Sequence, residues 1–214
     1  MRRAWTEERM DRFKAWCVVC VVVLVCAWAG PAWAQGLAQD PEAWEEYNRQ
    51  RVGVNQAGMI TLMSWAGLNM AAGGVGWALS EDARWKGFHE MNAAWNVVNM
   101  AIGVFGYVGA AGEDPGALGL SETLLAGASI QKILMVNVGL DVGYAALGGL
   151  LWERGLRKGD ERMIGWGQSL LLQGGFLFAF DVGLVVVHQG IFEELVWGLS
   201  PSPGGASAQI MGRF

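Results

Sequence analysis

The stretch GFHEMNAAWNVVNMAIGVFGYVGA, residues Gly87 to Ala110, decides the fold. As a helix rising about 1.5 Å per residue it crosses a hydrocarbon layer of about 30 Å, and it carries no Lys, Arg or Asp. It is nevertheless not uniformly apolar. His89, Asn92, Asn96 and Asn99 follow one another at intervals of 3, 4 and 3 residues, which places all four on one helical face, continued by Gly103 and Gly106. Polar groups left without partners in hydrocarbon cost several kcal/mol each, so this face must turn toward other helices. The stretch therefore reads as one span of a membrane bundle with a polar inner seam.

Three further apolar stretches of spanning length lie around it, at about Val52 to Leu79, Ile133 to Trp152 and Trp166 to Val187. None keeps the strict alternation of an outer-membrane barrel. The linkers Ser80 to Lys86, Gly112 to Glu122 and Glu153 to Arg162 are short and polar, as between antiparallel neighbours. The expected fold is all-α, a polytopic four-helix antiparallel bundle.

Each span repeats the polar theme. Asn137, Asp141 and Tyr144 keep the 4, 3 spacing, Gln173 and Asp181 fall near one stripe, and so do Asn55 and Asn69. Counted by rise from the linker ends rich in cations, Asn69 and Asn96 lie about 12 Å deep, Asn99 and Asp141 about 16 Å, Asn137 and Asp181 about 22 Å. The residues expected to form one buried polar layer are thus Asn69, Asn92, Asn96, Asn99, Asn137, Asp141, Gln173 and Asp181. Its centre is placed on Asn99 and Asp141, with Asp181 above. Lys132 lies on the opposite side of its helix from Asp141 and is read as snorkelling outward.

Residues 1–34 read as a secretory signal peptide: basic Arg2, Arg3, Arg9, Arg12 and Lys14, an apolar run from Ala15 to Ala29, then the triplet Ala32, Trp33, Ala34, with cleavage before Gln35. An uncleaved anchor is the alternative. Arg84 and Lys86 occupy the first linker and Arg154, Arg157, Lys158 and Arg162 the third, while the middle one has no cation. Cations resist translocation, so the first and third linkers are expected in the cytoplasm and both mature ends in the periplasm of a bacterial inner membrane. Residues 35–51 form an amphipathic segment, with Asp40 as cap and Pro41 in the first turn of a helix to Arg51. Residues 52–190 hold the bundle, and 191–214 an interfacial helix from Ile191 to Leu199 with a Pro/Gly/Ser tail.

The composition agrees with a membrane chain and excludes other classes. Hydrophobic residues make up 53% and charged ones only 16%, which rules out a disordered chain, and a net charge of -5 leaves no basic face for nucleic acid. Removal of the leader takes away five basic and three acidic side chains, so the mature chain is the more acidic form. Cys17, Cys20 and Cys26 all leave with it, and with them thiolate metal sites and a cysteine nucleophile. Hydrolase, zinc-protease and phosphate-loop motifs are missing, and Gly73-Gly74-Val75-Gly76 lies inside a span without a preceding strand. His89 and His188 are too far apart along the bundle to share a haem. No enzyme, cofactor or metal is expected.

Asn69-Met70-Ala71-Ala72-Gly73-Gly74-Val75-Gly76-Trp77 and Asn99-Met100-Ala101-Ile102-Gly103-Val104-Phe105-Gly106-Tyr107 share the pattern N-M-A-x-G-x-x-G-aromatic. Asp141-Val142-Gly143 and Asp181-Val182-Gly183 are again alike. Small residues at these spacings allow close helix approach in lipid, and chance likeness among glycine-rich spans is the plainer account.

Two functions compete. The first is a structural or binding bundle, held by its polar layer and engaging lipid, a protein partner or a second copy through glycine-rich faces. The alternative is a small transporter or proton-linked channel using Asp141 and Asp181, since acids within spans mark ion paths. A closed and fully satisfied network favours the first; water reaching either acid favours the second.

Phe88-His89-Glu90-Met91-Asn92-Ala93-Ala94-Trp95-Asn96-Val97-Val98-Asn99, with Gln131-Lys132-Ile133, Asn137-x-x-x-Asp141, Gln173-Gly174 and Phe180-Asp181, resembles an uncharacterised family of small four-span bacterial membrane proteins, a domain of unknown function. The likeness covers about Val52 to His188. It implies a fold but no activity and no catalytic residue.

Overall fold

A computed structural model of the chain describes residues 41–198. The expected signal peptide with its three cysteines, the Asp40 cap and the tail beyond residue 198 lie outside the described residues. Within them the chain forms four helices and no strand: α1 Pro41–Leu79, α2 Ala83–Ala111, α3 Leu120–Lys158 and α4 Glu161–Gly198.

The turns are capped by the residues that make them. Asp82 Oδ1 accepts the Trp85 N–H at 3.0 Å and opens α2. Gly112 closes that helix with its N–H on the Val108 carbonyl at 3.1 Å, and the Asp114 carboxylate accepts the Gly116 N–H at 3.0 Å in the turn that follows. Glu122 accepts the Gly119 N–H at 3.1 Å as α3 begins. Gly159, at φ +64°, ends α3 in the left-handed conformation that a side chain disfavours, and Asp160 Oδ1 takes the Met163 N–H at 3.0 Å to start α4. Nothing interrupts α1 near Arg51 or α4 near Gly190, so both run straight through the points where the sequence pattern changes character.

Three of the four helices, α2, α3 and α4, are long and apolar enough to cross a membrane. The first is equally long but falls short in composition, because Asn55, Gln56, Thr61, Ser64 and Asn69 interrupt its apolar run. Thr61 and Ser64 donate to the carbonyls of Ala57 and Ile60 one turn back, which satisfies both hydroxyls within the helix.

Side chains are distributed inside out. Among the described residues the buried polar and charged side chains are as numerous as the buried apolar ones, whereas Leu68, Phe105, Val108 and Leu125 stand in the open. A water-soluble domain has no reason to expose such faces; a bilayer is the solvent that accepts them.

Glycine sets how closely the helices approach. The two copies of the sequence repeat pack against each other's helices: Gly73 of α1 lies on the His89 carbonyl and Ala93 of α2, while Gly103 and Gly106 of α2 lie on Met63 and Met59 of α1. Contacts that rise along one helix thus fall along the other. Between α3 and α4 the order is likewise reversed, with Gly155 on Ile164, Gly148 on Gly167 and Leu171, and Gly174 on Ala145 and Asp141. A Cβ on Gly148 would stand 2.8 Å from the Gly167 carbonyl oxygen, a contact no side chain tolerates. Gly58 admits Leu184, and Trp65 stacks on Phe176 with centroids 3.8 Å apart, joining α1 to α4.

Candidate functional site

Three polar clusters occupy the interior. The central one is a tie of neutral amides. Trp65 Nε1–H of α1 donates to Gln173 Oε1 of α4 at 2.9 Å, Gln173 Nε2 donates to Asn92 Oδ1 of α2 at 2.5 Å, and Asn92 Nδ2 donates to the Asn69 carbonyl of α1 at 3.2 Å. One closed sequence of bonds therefore fastens three helices. Asn96 and Asn99 extend it along α2, Asn96 Nδ2 to the Asn92 carbonyl at 2.8 Å and Asn99 Nδ2 to Asn96 Oδ1 at 3.2 Å.

Of the residues the sequence proposes, Asn92, Asn96, Asn99, Asp141, Gln173 and Asp181 are buried, while Asn69 and Asn137 are half-buried. The Asn69 side chain turns back to the Trp65 carbonyl at 2.8 Å, so it is the backbone of Asn69 that joins the tie. The centre of the amide cluster falls on Asn92 and Gln173, nearer the His89 end than the expected Asn99 and Asp141. Helical spacing assigns a face but not a partner: Gln173, the longer amide, reaches two helices at once.

The second cluster is a pair of acids. The carboxyl groups of Asp141 on α3 and Asp181 on α4 are neighbours in the interior, near enough to influence each other, at 3% and 6% exposure. Two carboxylates contain no donor, so a bond between them requires a proton on one. Asp141 Oδ2 is buried without a hydrogen-bond partner.

The third cluster lies at the α1 N-terminal end, and most of it escapes the sequence reading. Arg51, 4% exposed, donates to Asn48 Oδ1 at 3.3 Å and to the Glu113 carboxylate of the α2–α3 turn at 2.6 Å. Asn48 Nδ2 in turn donates to Thr123 Oγ1 of α3 at 2.8 Å. Tyr47 lies edge-on to Phe192 of α4 with centroids 5.9 Å apart, its hydroxyl over Gly127. Burial holds the Tyr47 phenol above its ordinary value, with Arg51 pulling the other way, so it is a neutral O–H donor at physiological pH. Arg51 and Asn48 look in sequence like the end of a solvated amphipathic helix. The signal that finds them is the continuation of the buried α1 stripe, Asn48, Val52, Gly58 and Leu62, backward past the span.

At the other end Glu90 accepts from Arg162 Nε at 2.9 Å and from Trp166 Nε1 at 3.1 Å, clamping α2 to α4. His89 is beside that clamp and His188 beside Arg51, at opposite ends of the bundle, and among the described residues no three His, Cys, Asp or Glu side chains converge to hold a metal. The arrangement can bind protons at its paired acids and can brace helices with amides.

No characterised protein and no solved structure is significantly similar to the chain. A model of a family of unknown function, DUF6992, matches residues 61–182, which takes in the amide tie, both acids and the Glu113 and Thr123 members of the third cluster, and leaves Tyr47, Asn48 and Arg51 outside. On that match, over more than half its length, the chain belongs to the DUF6992 family.

Proposed function

We propose that the chain is an antiparallel four-span bundle of the bacterial inner membrane, exported by a cleaved signal peptide with both mature ends in the periplasm, and that its interior binds protons at Asp141 and Asp181 as part of a small transporter or channel. The neighbouring carboxyls carry this reading. Neutral amides already tie α1, α2 and α4, and an amide pair would join α3 to α4 without depending on a proton. Acids within hydrocarbon are expensive and mark ion paths. No cofactor and no covalent chemistry is invoked.

A purely structural or binding role is the second reading, favoured by the completeness of the amide tie. Infrared titration of the full chain in lipid vesicles separates the two. The proton-binding reading expects a carboxyl C=O band that responds to pH and disappears in both Asp141→Asn and Asp181→Asn while the helices remain assembled. Variants that lose assembly along with the band would return the acids to a bracing role.

A further inference from the structure

Seven residues beyond Asp181, and so on the same face of α4, His188 is 1% exposed and neither of its ring nitrogens has a partner. Buried polar groups are ordinarily bonded, and a histidine kept for packing commonly anchors one nitrogen. Leaving both free is the arrangement that lets an imidazole take a proton on one nitrogen and give one up from the other. The groups around it complete a sequence leading inward. Arg51 approaches from α1, its guanidinium near enough to act on the ring electrostatically, with Tyr47 one turn before it on the same helix. Glu113 of the α2–α3 turn is bonded to Arg51 and is 40% exposed at its side chain. Asp181 lies two turns below on α4, opposite Asp141 of α3.

We propose that His188 relays protons between the surface carboxylate Glu113 and the Asp141–Asp181 pair. This rests on the reading of the acids as a proton-binding site. A proton arriving from Glu113 through water binds one ring nitrogen. The proton on the other nitrogen leaves toward Asp181, and a tautomer shift resets the ring with no net change in its charge. Seven residues span about 10 Å of rise, so the relay requires ordered water between ring and carboxyl.

The test uses the full chain in vesicles of phosphatidylethanolamine and phosphatidylglycerol, following the carboxyl band of the acid pair after a rapid pH jump. His188→Leu should slow protonation by about tenfold or more while leaving the equilibrium midpoint in place, and added imidazole should restore the rate. Glu113→Gln should slow it in the same direction. If His188→Leu does not fold, His188→Gln, which is similar in size and polar but does not titrate, carries the same expectation. A folded His188 variant that protonates at the wild-type rate overturns the relay alone. Absence of any band lost in Asp141→Asn overturns the proton-binding reading beneath it.

Discussion

Gln173 uses both ends of its amide, accepting from Trp65 of α1 and donating to Asn92 of α2, and Asn92 likewise bonds two other helices. Gln173→Leu keeps the bulk but leaves an indole N–H and an amide oxygen buried without partners. The expected loss is about 1–3 kcal/mol, more than a single interhelical bond in lipid usually yields, because the groups left behind cannot reach water. Reversible unfolding in mixed detergent measures it. A change under 0.5 kcal/mol would mean that the tie is incidental to assembly. At this scale the sequence exposes the α2 face plainly, since amides at intervals of 3 and 4 inside an apolar run have no other physical account. Partners are not legible there. Arg51, Thr123 and His188 lie near the ends of apolar runs, where charged and polar side chains are usually solvated, so only the fold reveals that the bundle encloses them.

Among elements, the glycine doublets show what a sequence leaves undecided. Gly73-Gly74, Gly148-Gly149 and Gly174-Gly175 look symmetrical as letters, yet in each doublet the first glycine meets a neighbouring helix and the second meets open space. Consecutive positions differ by 100° around a helix, so only one of each two can face the bundle. Glycine density therefore announces close packing, while the direction of packing emerges from the helices together. Gly174→Val would drive a side chain into α3, where a Cβ alone already stands 2.8 Å from the Ala145 nitrogen, whereas Gly175→Val points outward. The first should destabilise the bundle by about 1–3 kcal/mol or split α3 from α4, and the second should leave it unchanged or slightly firmer through helix propensity. Melting of the two variants in detergent compares neighbours that differ only in azimuth; equal losses would contradict the α3–α4 contact.

For the molecule as a whole, the inverted distribution of side chains and the cations of its turns make one argument about placement. Apolar faces such as those of Phe105 and Leu68 require lipid around the bundle, and lipid leaves only two choices of orientation. Arg84 and Lys86 stand at one end beside the Asp82 turn, and Arg154, Arg157 and Lys158 precede the Gly159 turn, while the Gly112–Gly119 turn contributes acids. In the proposed orientation those cations hold the first and third turns in the cytoplasm, which would put the second outside, together with Glu113 and the Arg51 cluster. The mature chain starting at Gln35 would have no native cysteine, so single cysteines report on sidedness without background. Asp82→Cys and Asp160→Cys should react with a membrane-impermeant maleimide only after the inner membrane is broken, and Gly116→Cys should react in intact spheroplasts. Intact mass should place the N-terminus at Gln35. The reverse labelling pattern would put Glu113 in the cytoplasm and turn the proton entry to that side; labelling of all three positions from outside would mean that the helices do not cross the bilayer as the cation pattern requires.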